Sequence, residues 1–187
     1  MTLLNAISYA QQLLKDHIKK GDTVVDATCG NGNDTVFLAN LVGSEGRVYG
    51  FDVQSRAIEH TEKKLQANHL FYHVKCIQDG HENLEKWVKE PVKGAMFNLG
   101  YLPGSRKEMT TKPETTIKAI QSLLSLLTLD GLITVVVYSG HDQGFESFHL
   151  EKYLQELPQK QYSVMKYQFI NQIHFPPYLI VIEKKGT

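Results

Sequence analysis

From Leu3 to Lys20 the apolar residues Leu3, Ile7, Leu14 and Ile18 recur at helical spacing and Gly21 ends the pattern, which predicts an amphipathic helix over 3–20. The period then changes. TVVDA (23–27) is short, β-branched and stops at a glycine turn, so it reads as a strand, and Asp34 suits the N-cap of a helix through TVFLANLV. RVYGFDV (47–53) predicts a second strand, followed over 55–69 by an amphipathic helix with Ser55 as its cap. FYHVKCIQ (71–78) is a third strand, ENLEKWV (82–88) a short helix, and GAMFNLGYL (94–102) a fourth strand running into a turn. Thr111 and Glu114 have the spacing of a capping box for the helix ETTIKAIQSLLSLL, with Pro113 in its first turn. GLITVVVYSG (131–140) is apolar throughout, the composition of a strand at a sheet centre. The helix FESFHLEKYLQEL follows. YSVMKYQFIN and YLIVIEKK then predict two strands joined by a loop that contains Pro176 and Pro177.

Strands alternating with helices imply right-handed crossovers and a mostly parallel sheet covered on both faces. The last two strands have no helix between them and should pair antiparallel. The expected fold is therefore α/β and Rossmann-like: a mostly parallel seven-stranded sheet with a C-terminal antiparallel hairpin. The 187 residues fit one domain over 1–187, and no repeat or linker divides them. Lys plus Arg and Asp plus Glu both total 20, for a net charge of zero. That balance excludes a polycation that coats nucleic acid but leaves room for a local basic patch. Cys29 and Cys76 are far apart in sequence and read as reduced thiols. No segment could span a bilayer, and the N-terminus lacks an apolar run followed by a cleavage site. The expected location is the cytoplasm, with no membrane partner.

The glycine turn carries the first chemistry. Gly30 and Gly32 allow a ligand close to the backbone, as in dinucleotide sites, but the third glycine of G-x-G-x-x-G is missing. Asp26 precedes the turn and Asp34 follows it, and both would repel a diphosphate. S-adenosylmethionine (SAM) has no phosphate, and its sulfonium and α-ammonium attract carboxylates. The charge pattern selects SAM over NAD. Asp52 ends the second strand about twenty residues on, where an acidic side chain can take both ribose hydroxyls. Gln78 and Asp79 end the third strand, with an amide and a carboxylate suited to the edge and amino group of an adenine.

The fourth strand ends in Asn98-Leu99-Gly100-Tyr101. Many methyltransferases acting on exocyclic or amino nitrogens have Asn/Asp-Pro-Pro-Tyr/Phe at this point. There the first side chain and a backbone carbonyl accept hydrogen bonds from the target nitrogen, and the ring stacks on its base. NLGY keeps the outer residues and replaces the prolines. Together DATCGNGNDT, GFDVQ, NLGYLPG, TKPETTIKAI and VVVYSGHDQG resemble the small bacterial rRNA-methylase-like proteins of the YtqB/MnmM type, from about residue 3 to the C-terminus. Ser147 departs from that pattern, where an acidic residue would follow Glu146. The resemblance implies a class I SAM-dependent methyltransferase fold. It also implies the reaction: conversion of 5-aminomethyl-2-thiouridine to 5-methylaminomethyl-2-thiouridine at wobble position 34 of tRNA.

By motif matching, Asp26, Thr28, Gly30, Asn31, Gly32, Asn33 and Asp34 would line the methionine end of SAM. Asp52 and Gln54 would hold the ribose region, with Gln78, Asp79 and His81 near the adenine. Asn98, Gly100 and Tyr101 would face the acceptor amine. The basic loop 105–112 brings Arg106, Lys107 and Lys112 to the site mouth, where they could hold phosphates of the tRNA anticodon stem-loop. Tyr138 and His141 lie at the end of the fifth strand. His141 would contact the base, take a proton, or serve only the structure. The remaining histidines lack metal-ligand spacing, so no metal is expected. The apolar strands and the Phe175-Pro176-Pro177-Tyr178 corner allow a homodimer. Three other readings stay open: a different acceptor amine (an rRNA base or a small molecule), an NAD-dependent oxidoreductase, and a catalytically silent SAM-binding RNA chaperone.

Overall fold

The computed structural model describes residues 3–100, 111–138 and 144–186. In chain order it contains α1 (Ala6–His17), β1 (Thr23–Asp26), α2 (Asn33–Val42), β2 (Arg47–Asp52), α3 (Ser55–Ala67), β3 (Val74–Gln78) and β4 (Val92–Asn98). These are followed by α4 (Pro113–Leu126), β5 (Leu127–Val137), α5 (Phe145–Gln155), β6 (Tyr162–Tyr167) and β7 (Tyr178–Lys184). The strands form one seven-stranded sheet in the order β3-β2-β1-β4-β5-β7-β6. The first five pair in parallel, while β7 runs antiparallel to both β5 and β6. The expected architecture is the one observed.

Alternation along the strands divides the core into two layers. Val24 packs with Ala10 and Leu14 of α1 and Leu38 of α2. Its neighbour Val25 points the other way and joins Ala119, Ile120 and Leu123 of α4 and Leu150 of α5. β5 lies inside the sheet, between β4 and β7, and is buried from Gly131 to Val137. Its apolar composition follows from that position, with both faces covered.

Helix starts differ most from the sequence reading. α1 begins at Ala6 rather than at residue 3, because Asn5 Oδ1 accepts the Ser8 N–H at 2.8 Å and caps it there. Asp34 does not cap α2; Gly32 does, with φ 75°, and Asp34 is buried inside the first turn. α3 is entered through Gln54 rather than Ser55. The capping box at Thr111 does not form: α4 starts one residue later, with Lys112 as N-cap and no side-chain cap bond, while the Thr111 hydroxyl donates to Glu146 Oε2 at 2.7 Å. Thr116 Oγ1 donates to the other oxygen at 2.9 Å, so a buried carboxylate ties the start of α4 to α5. Residues 71–73 form a 3-10 turn in place of a strand start, and the short helix expected over 82–88 is a 3-10 helix over 81–86.

Candidate cofactor and acceptor site

The carboxyl ends of β1, β2, β3 and β4 lie side by side, the place where open α/β sheets receive ligands. The turn after β1 needs its glycines for two reasons. Gly30 and Gly32 both have positive φ, 52° and 75°. A Cβ on Gly32 would also lie 2.9 Å from the Cα and Oγ1 of Thr61, so α3 packs directly against the loop.

Asp26 lies beneath this loop, 1% exposed. Its Oδ2 accepts from Thr35 Oγ1 at 2.6 Å and its Oδ1 from the Thr28 N–H at 3.1 Å. Burial, reinforced by the nearby charge of Asp34, pushes its carboxyl up to about 7. It braces the loop from below and adds negative potential there. Asp52 reaches across from β2: Oδ2 accepts the Gly30 N–H at 3.0 Å and Oδ1 the Gln54 N–H at 2.9 Å. One carboxylate thus holds the glycine turn and the entrance to α3 together.

Asp79 is held by the Gly80 N–H and Asn83 Nδ2, both at 2.8 Å on Oδ1, and by Trp87 Nε1 at 3.0 Å on Oδ2. The Trp87 bond leads in holding its carboxyl below the usual range. Gln78 is exposed at the end of β3. His81 is buried, with Nδ1 3.0 Å from the Ala27 carbonyl and Nε2 without a partner. Burial lowers its pKa, so the ring is neutral; Nδ1–H donates to Ala27 and Nε2 is an acceptor. Asn31 on the turn and Asn33 at the start of α2 are exposed, and Asn33 Oδ1 accepts from Lys64 Nζ at 2.6 Å.

Asn98, from the candidate acceptor motif, adjoins this loop. The Asn98 N–H donates to Thr28 Oγ1 at 2.8 Å, and Asn98 Nδ2 lies 3.4 Å from Asp34 Oδ2. Gly100 has φ 144°, and a Cβ there would lie 3.6 Å from the Tyr138 ring. Tyr138 is half-buried; burial, then the charge of Asp34, raises its phenol pKa. The structure therefore brings Thr28, Asp34, Asn98, Gly100 and Tyr138 together. Lys112 is exposed just ahead of α4. Tyr101, Arg106, Lys107 and His141 lie outside the described residues.

Sequence reasoning missed Gln11, whose Nε2 donates to Asp34 Oδ1 at 2.9 Å. The signal was in the apolar stripe: in the series 3, 7, 11, 14, 18, position 11 is polar. Thr35, which holds Asp26, also went unmarked.

The residues present fit SAM. The glycine turn admits close approach, Asp34 and Asp52, joined by Asp26 as it ionises near pH 7, set a potential that favours a sulfonium over a diphosphate, and His81 keeps an unpartnered buried acceptor. Among the described residues, no group of three or more His, Cys, Asp or Glu side chains is placed to hold a metal ion. No helix among them is long and apolar enough to cross a membrane.

Residues 48–183 match the family model described as "Putative rRNA methylase". Residues 3–87 also match that of protein-L-isoaspartate(D-aspartate) O-methyltransferase. The chain is 36% identical over 192 residues to the chloroplastic tRNA (mnm(5)s(2)U34)-methyltransferase of Arabidopsis thaliana, across 97% of this chain and 70% of that protein. Among solved structures, a "putative rRNA-methylase" from Clostridium thermocellum superimposes with a TM-score of 0.96 at 49% identity, covering 98% of this chain and 100% of that one. A Streptococcus mutans protein solved in complex with SAH gives 0.90 at 40% identity, covering 98% and 99%.

Proposed function

The chain belongs to the rRNA methylase family, and from that premise we propose that it uses SAM to methylate the aminomethyl nitrogen of 5-aminomethyl-2-thiouridine at position 34 of tRNA. The family description names rRNA, whereas the Arabidopsis relative, aligned across 97% of this chain, is named for the tRNA wobble uridine. That relative favours tRNA. The observation that carries the reading is the attachment of Asn98 to the cofactor loop through Thr28 and Asp34, because the acceptor nitrogen must meet the methyl donor there.

When bound, SAM supplies an electrophilic methyl group. The chain's own residues orient and exclude. Asp52 and the glycine turn hold the donor side, with His81 and Gln78 toward the adenine. Asn98 offers its side-chain carbonyl to an amine N–H, which aims the nitrogen lone pair. Tyr101 stacks on the thiouracil and Tyr138 walls the pocket behind Gly100. In-line displacement needs alignment more than a nucleophile-activating triad. The amine binds neutral, or a site carboxylate or His141 takes its proton.

The partner is the anticodon stem-loop of tRNA, with Arg106, Lys107 and Lys112 meeting its phosphates. Exposed Ile170, Ile173 and Phe175 support pairing of two copies as a homodimer. Mass spectrometry of tRNA nucleosides from a strain lacking the gene tests the reaction. Accumulated 5-aminomethyl-2-thiouridine is the expected result, and an unchanged nucleoside profile would overturn it.

A further inference from the structure

Gln11 is a polar residue in the apolar stripe of α1, half-buried next to Ala10 in the layer that covers β4 and β5. Its Nε2 donates to Asp34 Oδ1 at 2.9 Å, and Asn98 Nδ2 faces Asp34 Oδ2 at 3.4 Å. One carboxylate therefore lies between two amides that come from α1 and from the end of β4. A carboxylate only accepts, so both amides must turn their NH2 groups toward it. For Asn98 this leaves the carbonyl Oδ1 to accept from a substrate amine.

The carboxylate plane is what decides the Asn98 orientation. The terminal torsion of an Asp side chain is broad, and a single long bond would not hold it. The bond from Gln11, shorter by half an ångström or so than the one from Asn98, sets that plane. Without it Asn98 could rotate and present NH2 to the amine, donor against donor.

We propose that Gln11 is a positioning residue: acting through Asp34, it holds the Asn98 amide with its carbonyl toward the acceptor nitrogen. The proposal rests on the reading of Asn98 as the acceptor-facing side chain in amine methylation.

Single-turnover methylation of tRNA containing 5-aminomethyl-2-thiouridine, with SAM saturating, tests it. Gln11→Leu should lower the rate about tenfold or more, because misalignment acts on the chemical step. Gln11→Glu, equal in size but with a like charge in place of the donor, should lower it at least as far. In an Asn98→Ala background, Gln11→Leu should add less than about twofold, since the side chain it positions is gone. A merely structural Gln11 would instead give losses that multiply, and that result overturns the proposal. So would wild-type rates in both single variants. If the wild-type protein leaves this tRNA unmethylated, the function reading falls and the positioning role falls with it; an active wild type with unaffected Gln11 variants removes the positioning role alone.

Discussion

Asn98 and Thr28, seventy positions apart, are joined by a 2.8 Å hydrogen bond from the backbone N–H of the first to the hydroxyl of the second. The end of β4 is thereby tied directly to the loop after β1. A side chain that aims a nucleophile is useful only if its distance to the donor is fixed, and this bond fixes it through the backbone.

Asn98→Ala should lower kcat by about 10²-fold or more, while SAM affinity changes little, because the carbonyl proposed to align the amine is lost and the donor is left alone. Tyr101→Phe should be mild and Tyr101→Ala severe, since stacking needs the ring more than the hydroxyl. Single-turnover rates with saturating SAM provide the measurement. Wild-type turnover in Asn98→Ala would reduce NLGY to an ordinary strand end.

Asp52→Ala should weaken SAM binding by about 1.5–3 kcal/mol, the range for hydrogen bonds to a charged group. Two effects act together there: loss of the proposed ribose partner and release of the Gly30 and Gln54 N–H groups it now holds. Calorimetric titration of SAM reads the change directly, and unaltered affinity would take Asp52 out of the site.

The Asp26 carboxyl, pushed up to about 7 by burial and by Asp34, makes SAM binding depend on pH. A nearby sulfonium favours the ionised carboxylate, so binding expels a proton and affinity should rise from about pH 6 to pH 8, then level off. SAH lacks the sulfonium and should show a shallower slope. For folding the sign is opposite to that of an ordinary ion-paired carboxylate. With the folded pKa above its usual 3.8, the folded state binds the extra proton between those values, so stability declines as pH rises toward about 7. Asp26→Asn should flatten both profiles; parallel SAM and SAH slopes in the wild type would refute the link.

Neutralising Arg106 and Lys107 together should raise KM for tRNA and flatten its salt dependence, since each phosphate contact releases counterions. SAM affinity should stay close to wild type. Unchanged tRNA kinetics across a salt series would place RNA docking on another face.

The glycine turn and the strand-end acids were legible in the sequence because their signals are local. Positive φ asks for glycine, and a carboxylate at a strand end is visible without knowing its neighbours. Thr111 was misread for the converse reason. Its spacing to Glu114 fits a capping box, but α4 starts one residue later at Lys112, and the Thr111 hydroxyl donates to Glu146, a partner 35 residues away. Asp34 likewise looked like a cap until burial beside Gln11 and Asn98 gave it other partners. Gln11 was readable only as an interruption in a stripe. Its partner lies 23 residues away, and no periodicity announces such a contact.

The position of β7 governs how the chain can be made. Tyr178–Lys184 slots between β5 and β6, so both strands leave the ribosome before the segment that pairs them. Until then the apolar β5 is an open sheet edge and β6 has no partner strand, and such segments invite pairing with other chains. A message cut before the codon for Tyr178 would encode the whole cofactor loop and acceptor motif. Its product should nevertheless aggregate rather than persist as a smaller enzyme, because the apolar edge of β5 stays unpaired without β7.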